Sequence, residues 1–147
     1  MNPFLALAYP QSEILAPFAA MLLLTALVWL YMYVRRLSYM FANGIDPQQL
    51  ASPEGKAAAL PEAIEQPANN LKNLFEMPVL FYAVVLAIYA TTSVDATDVQ
   101  LAWAFVVCGA LHSLVHCTFN HVKTRFAFYL LSCLALFALI ARFTLSL

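Results

Sequence analysis

The chain has 147 residues, of which 63% are apolar and only 10% charged. Soluble domains carry about a quarter charged residues, so this composition excludes an ordinary soluble domain, and the same apolar content excludes intrinsic disorder. The formal net charge is −1, with no basic run, so no nucleic-acid partner is expected.

A membrane-crossing helix needs about 20 apolar residues, and four of them with short connections would use most of the chain. The stretch before the first apolar run, Met1 to Glu13, holds no Lys or Arg. It therefore lacks the positive region of a secretory signal, and the first apolar run is expected to be a retained span. That span is placed at about residues 14–41. Its centre, Pro17 to Val34, is uncharged. The segment of about 43–68 follows, with Pro47, Pro53, Pro61 and Pro67. It is expected to be a polar loop with at most one short helical turn. The second span is placed at about 69–91, the third at about 99–119 and the fourth at about 125–145. The fold expected is an all-α integral membrane protein, a bundle of four transmembrane helices.

Six of the seven Lys and Arg, namely Arg35, Arg36, Lys56, Lys72, Lys123 and Arg125, flank the first and third connections, and only Arg142 lies at the other side. The positive-inside rule then puts both termini outside the cytoplasm. Cys108, Cys117 and Cys133 are scattered through apolar stretches, which suits small packing residues rather than a disulfide framework.

The polar groups of the spans converge on the cytoplasmic half. Asn69, Asn73 and Glu76 follow i, i+4, i+7 spacing, and His112 with His116 and Arg125 with Tyr129 follow i, i+4. Stripes of this kind face one another or a wet cavity rather than lipid. A pocket with arginines, a carboxylate, an amide and a phenol suits a small ligand carrying both carboxylates and an ammonium group. Read singly, each residue has a plainer role. Arg35 and Arg36 serve equally as interface anchors, and Asn73, Glu76, His112 and His116 as helix-packing groups. His112 and His116 could chelate zinc with Glu76 or Cys117, but no second ligand cluster accompanies them, so no metal is expected. Pro78 is expected to kink the second span beside Asn73 and Glu76.

Three segments carry a family resemblance: VRRLSYMFAN at Val34 to Asn43, KNLFEMP at Lys72 to Pro78 and LHSLVHCTFNHVKTRFAFY at Leu111 to Tyr129. They resemble the MAPEG family, the membrane-associated proteins of eicosanoid and glutathione metabolism, and look most like its bacterial members. The resemblance implies a homotrimer in a bacterial inner membrane, with glutathione as co-substrate between neighbouring subunits. It also implies a cytoplasm-facing site and a lipophilic electrophile as the second substrate, for transfer or peroxide reduction. Carried over by position, Arg125 is the catalytic residue beside the thiol, and Arg35, Lys72, Asn73, Glu76, His112, His116 and Tyr129 are glutathione-binding. Four positions depart from the pattern: Lys72 and Gly109 stand for arginines, His116 for a tyrosine and Phe126 for a serine. These departures motivate the alternative, a binding or scaffold protein that kept the fold without glutathione chemistry.

Overall fold

The structure, a computed structural model, describes residues 10–91 and 94–147. The N-terminal reading falls largely on residues 1–9, and the linker before the third span includes 92 and 93, both outside the described residues. A 3₁₀ turn, Gln11–Ile14, leads into helix α1 at Leu15–Asn43. Then follow α2 at Pro53–Ala59, α3 at Glu62–Leu74, α4 at Met77–Thr91, α5 at Ala96–Cys117 and α6 at Val122–Leu145. Four stretches are long and apolar enough to cross a membrane: Gln11–Asn43, Glu62–Thr91, Ala96–Cys117 and Val122–Leu145. The protein is an all-helical, multi-pass integral membrane protein.

Helix α1 has 29 residues, about 44 Å at 1.5 Å per residue, so it outruns a hydrocarbon layer of about 30 Å. It stops at Gly44, whose φ of 62° lies in the left-handed region that caps helix ends.

The segment expected to be a loop is mostly ordered helix. Asp46 accepts from the Gln48 N–H at 2.9 Å to start a 3₁₀ turn, and Ser52 Oγ caps α2 through the Gly55 N–H at 3.0 Å. Helix α3 begins at Glu62, seven residues before the span start expected at Asn69, and runs through Pro67. Its periodicity explains this: Ile64, Pro67, Leu71 and Leu74 recur at three and four residues and form an apolar, packed face, while Glu62, Gln66, Asn69 and Asn73 share the opposite, polar face. Ile64 packs with Met40 and Leu60. Arg36 on α1 donates to Glu65 on α3 at 2.8 Å, and Lys56 pairs with the other Glu65 oxygen.

The second span is interrupted at Phe75 and Glu76, just before Pro78. Pro78 is the second residue of α4 and has no N–H for a helix continuing from α3. The chain crosses the break on tight bonds, Phe75 N–H to Lys72 O at 3.0 Å and Glu76 N–H to Asn73 O at 3.2 Å.

The core lies between α4, α5 and α6, with Met21 and Val28 of α1 closing it. Phe81 and Phe105 stack at 4.6 Å between centroids, backed by the buried Val85, Ile88, Leu136 and Leu139. Outward-facing Leu23, Leu27, Leu30, Leu134 and Phe137 form the surface lipid would cover. A methyl group added at Gly109 would meet nothing within 4 Å, so packing does not require glycine there. Gly109→Ala should raise stability by about 0.5–1 kcal/mol, the helix-interior cost of glycine, read as a higher thermal midpoint in detergent.

The opposite end is fastened by charge. Asp95 and Asp98 cap α5 reciprocally, at 2.9 Å and 3.2 Å, and Arg142 of α6 reaches Asp98 at 3.0 Å and Asp95 at 2.5 Å. Burial pushes the Asp95 carboxyl up, but the Asp98 and Thr97 backbone N–H groups and the Arg142 guanidinium outweigh it, so its pKa lies below the ordinary carboxylate value. A depressed folded-state pKa contributes stability that is complete above the unfolded value and lost as pH falls through the folded one. Thermal midpoints should therefore drop on acidification below about pH 4, and Asp95→Asn should flatten that part of the profile.

Candidate functional site

A cavity of about 510 Å³ opens where α3, α5 and α6 meet at the end bearing most of the cations. Small-molecule sites span roughly 300–1,000 Å³. Helix α3 supplies Glu62, Gln66, Asn69 and Asn73, and the break after it supplies Glu76. Helix α5 and its cap contribute His112, His116 and Asn120, and α6 contributes Val122, Arg125, Phe126 and Tyr129. The second span is interrupted between Leu74 and Met77, beside the cavity, and Glu76 sits exposed in that interruption.

A hydrogen-bonded series forms the floor. His112 Nδ1 lies 2.8 Å from the Arg125 carbonyl oxygen, which only accepts, so Nδ1 carries the proton. Nε2 of the same ring is then the acceptor for the Asn73 Nδ2 amide at 3.1 Å. His116 Nδ1 approaches Nε2 of His112 at 3.4 Å, and its ring meets that of His112 edge-on at 5.4 Å. The Tyr129 ring lies 5.5 Å from His112, and its phenol neighbours the Glu76 carboxylate and the Cys133 thiol. Arg125 Nη1 donates to Asn120 Oδ1 at 2.5 Å.

Six of the eight residues carried over by resemblance share this cavity, Asn73, Glu76, His112, His116, Arg125 and Tyr129, and Asn69 of the polar stripe joins them. Two do not line it. Arg35 lies on α1, where Nη1 donates to the Tyr31 hydroxyl at 3.0 Å. Lys72 is exposed on α3. Helix geometry separates Lys72 from the cavity, because a residue beside Asn73 is rotated about 100° from it. Asn120 and Asn70 were not anticipated. Asn70 is fully buried, donates to Cys117 Sγ at 3.5 Å and accepts from Ser113 Oγ at 3.4 Å, tying α3 to α5 behind the cavity. Its adjacency to Asn69 hid it, since the outward stripe accounted for only one of the pair. Among the described residues, no three His, Cys, Asp or Glu side chains are grouped to hold a metal ion.

With this geometry established, comparison with known proteins is decisive on one point. The family model of MAPEG matches residues 14–145, nearly the whole chain. The chain belongs to the MAPEG family. No curated protein and no solved structure matches it. MAPEG proteins are membrane proteins associated with glutathione-dependent transfer and peroxide reduction, and the cavity lies within the matched residues.

The proton placement is open to measurement. Nitrogen NMR of the imidazoles in detergent should find His112 as the neutral tautomer protonated on Nδ1. A ring protonated on Nε2 would contradict the bond to the Arg125 carbonyl.

Proposed function

We propose that the protein is a glutathione-dependent transferase or peroxidase acting on lipophilic electrophiles dissolved in the bilayer. The observation that carries this reading is a guanidinium, Arg125, in the same cavity as a carboxylate, Glu76, and the Asn69 and Asn73 amides. That donor set matches glutathione group by group, with Arg125 for anionic sulfur, Glu76 for the ammonium and the amides for the peptide groups. When bound, glutathione supplies a thiol nucleophile. Arg125 stabilises negative charge at the sulfur position by proximity. Asn73 and Glu76 fix the ligand's orientation relative to it. Val122 and Phe126, both exposed, give the cavity an apolar lip for the electrophile.

Arg35 and Lys72 join this reading through assembly. In a homotrimer, they would meet the ligand carboxylates held in a neighbouring subunit's cavity, and both are accessible enough to do so. Six of seven cations at the cavity end support a cytoplasm-facing site with both termini outside, and the resemblance to bacterial members supports a bacterial inner membrane as the location. The second reading, a binding or scaffold subunit without the chemistry, draws on the position of Arg35 and Lys72 outside the cavity of their own chain.

Calorimetry and single-turnover assays in detergent separate the two. Glu76→Gln should weaken glutathione binding by roughly tenfold to a hundredfold, the worth of a charge-assisted hydrogen bond of about 1.5–3 kcal/mol. Arg125→Ala should leave binding less affected and depress turnover at neutral pH more, with a smaller thiolate absorbance in the complex. Wild-type protein that binds glutathione but never forms thiolate or turns over an electrophile would favour the scaffold reading.

A further inference from the structure

The arginines differ in how their charge is met. Arg36 is paired with Glu65 at 2.8 Å, and Arg142 with Asp98 at 3.0 Å and Asp95 at 2.5 Å. Among the described residues, Arg125 enters no ion pair, although Glu62 and Glu76 line the same cavity. Its side-chain partner is the neutral Asn120 Oδ1, at 2.5 Å.

Asn120 is held by the backbone. It follows α5 with φ of 50°, the one non-glycine residue with positive φ among the described residues. Its N–H closes onto the Val115 carbonyl at 2.8 Å. Asparagine tolerates this left-handed cap better than most residues, and glycine better still. The arginine is restrained at its other end too, because its carbonyl accepts from His112 Nδ1 at 2.8 Å. Both tethers are uncharged acceptors or donors.

We infer that Asn120 is a positioning residue that fixes the Arg125 guanidinium in the cavity while leaving its charge unneutralised for an anionic sulfur. A carboxylate in its place would hold the guanidinium as firmly but would compete with the ligand for its charge. Glycine would keep the backbone turn and lose the tether. The inference rests on the glutathione reading for the identity of the anion, and on the Asn120–Arg125 geometry alone for the tether.

The test uses the full chain in detergent with Asn120→Asp and Asn120→Gly. Two probes differ only at sulfur: glutathione sulfonate, which is anionic there, and S-methylglutathione, which is neutral there. Asn120→Asp should weaken sulfonate binding on the order of tenfold, and change S-methylglutathione binding by less than about twofold. Asn120→Gly should weaken sulfonate binding less than Asn120→Asp and, by NMR of the Arg125 guanidinium, speed rotation of its Nη groups. Equal losses for both probes, or undiminished sulfonate binding by Asn120→Asp, would overturn the inference. If the wild type binds neither probe, the glutathione reading fails on its own. The guanidinium NMR then decides the tether, and unchanged Nη resonances in Asn120→Gly would remove it.

Discussion

Hydrocarbon offers a polar group no partner, and that constraint organises the molecule. The helices satisfy the backbone, and the polar side chains of the spans must find one another. Asn70, Ser113 and Cys117 do so between α3 and α5, as do Asn73 and His112. His112 also reaches the Arg125 carbonyl, so one imidazole joins three helices and fixes the depth at which they meet. Lesser groups turn to their own helix, as Ser132 Oγ does to the Tyr129 carbonyl at 2.8 Å and Thr25 to that of Met21 at 3.1 Å. The cavity opens beside this junction, lined by α3, α5 and α6.

Spacing alone made much of this legible. Four apolar runs implied four spans, and the i, i+4, i+7 stripe of Asn69, Asn73 and Glu76 implied one shared wall, which the cavity has. The stripe survives the break at Phe75 because the tight bonds across it keep the advance per residue close to helical. Composition misled in the segment of about 43–68. Its prolines suggested a loop, yet Pro53 opens α2, Pro61 precedes α3, and Pro67 lies on α3's buried face. Counting prolines ignored where in a helix each one falls.

The rest was hidden because it depends on helix rotation, which neighbouring residues cannot share. Arg35 and Arg36 are adjacent and alike, but only one of them can face α3, and Glu65 takes Arg36. Lys72 beside Asn73 meets the same limit. Asn120 gave a weak cue, an asparagine just past an apolar helix, where left-handed caps are common. Nothing in the sequence says that its side chain folds back onto an arginine five residues later, because that contact needs the turn into α6 to exist first.

The two ends of the bundle use charge in opposite ways. At one, Arg142 is fully met by Asp95 and Asp98, and those carboxylates also cap α5, so its charge is committed to joining α6 to the α5 start. At the other, Arg36 is committed likewise to Glu65, while Arg125 has an amide for its partner. Holding a half-buried cation beside a neutral group forgoes the attraction a carboxylate would provide, and carboxylates stand in the same cavity, Glu62 and Glu76. Stability alone does not favour that arrangement. Under the proposed function, the anionic sulfur of the ligand would recover the attraction that the folded chain leaves unused. His116 extends the Asn73–His112 series towards the cavity, its Nδ1 lying 3.4 Å from His112 Nε2.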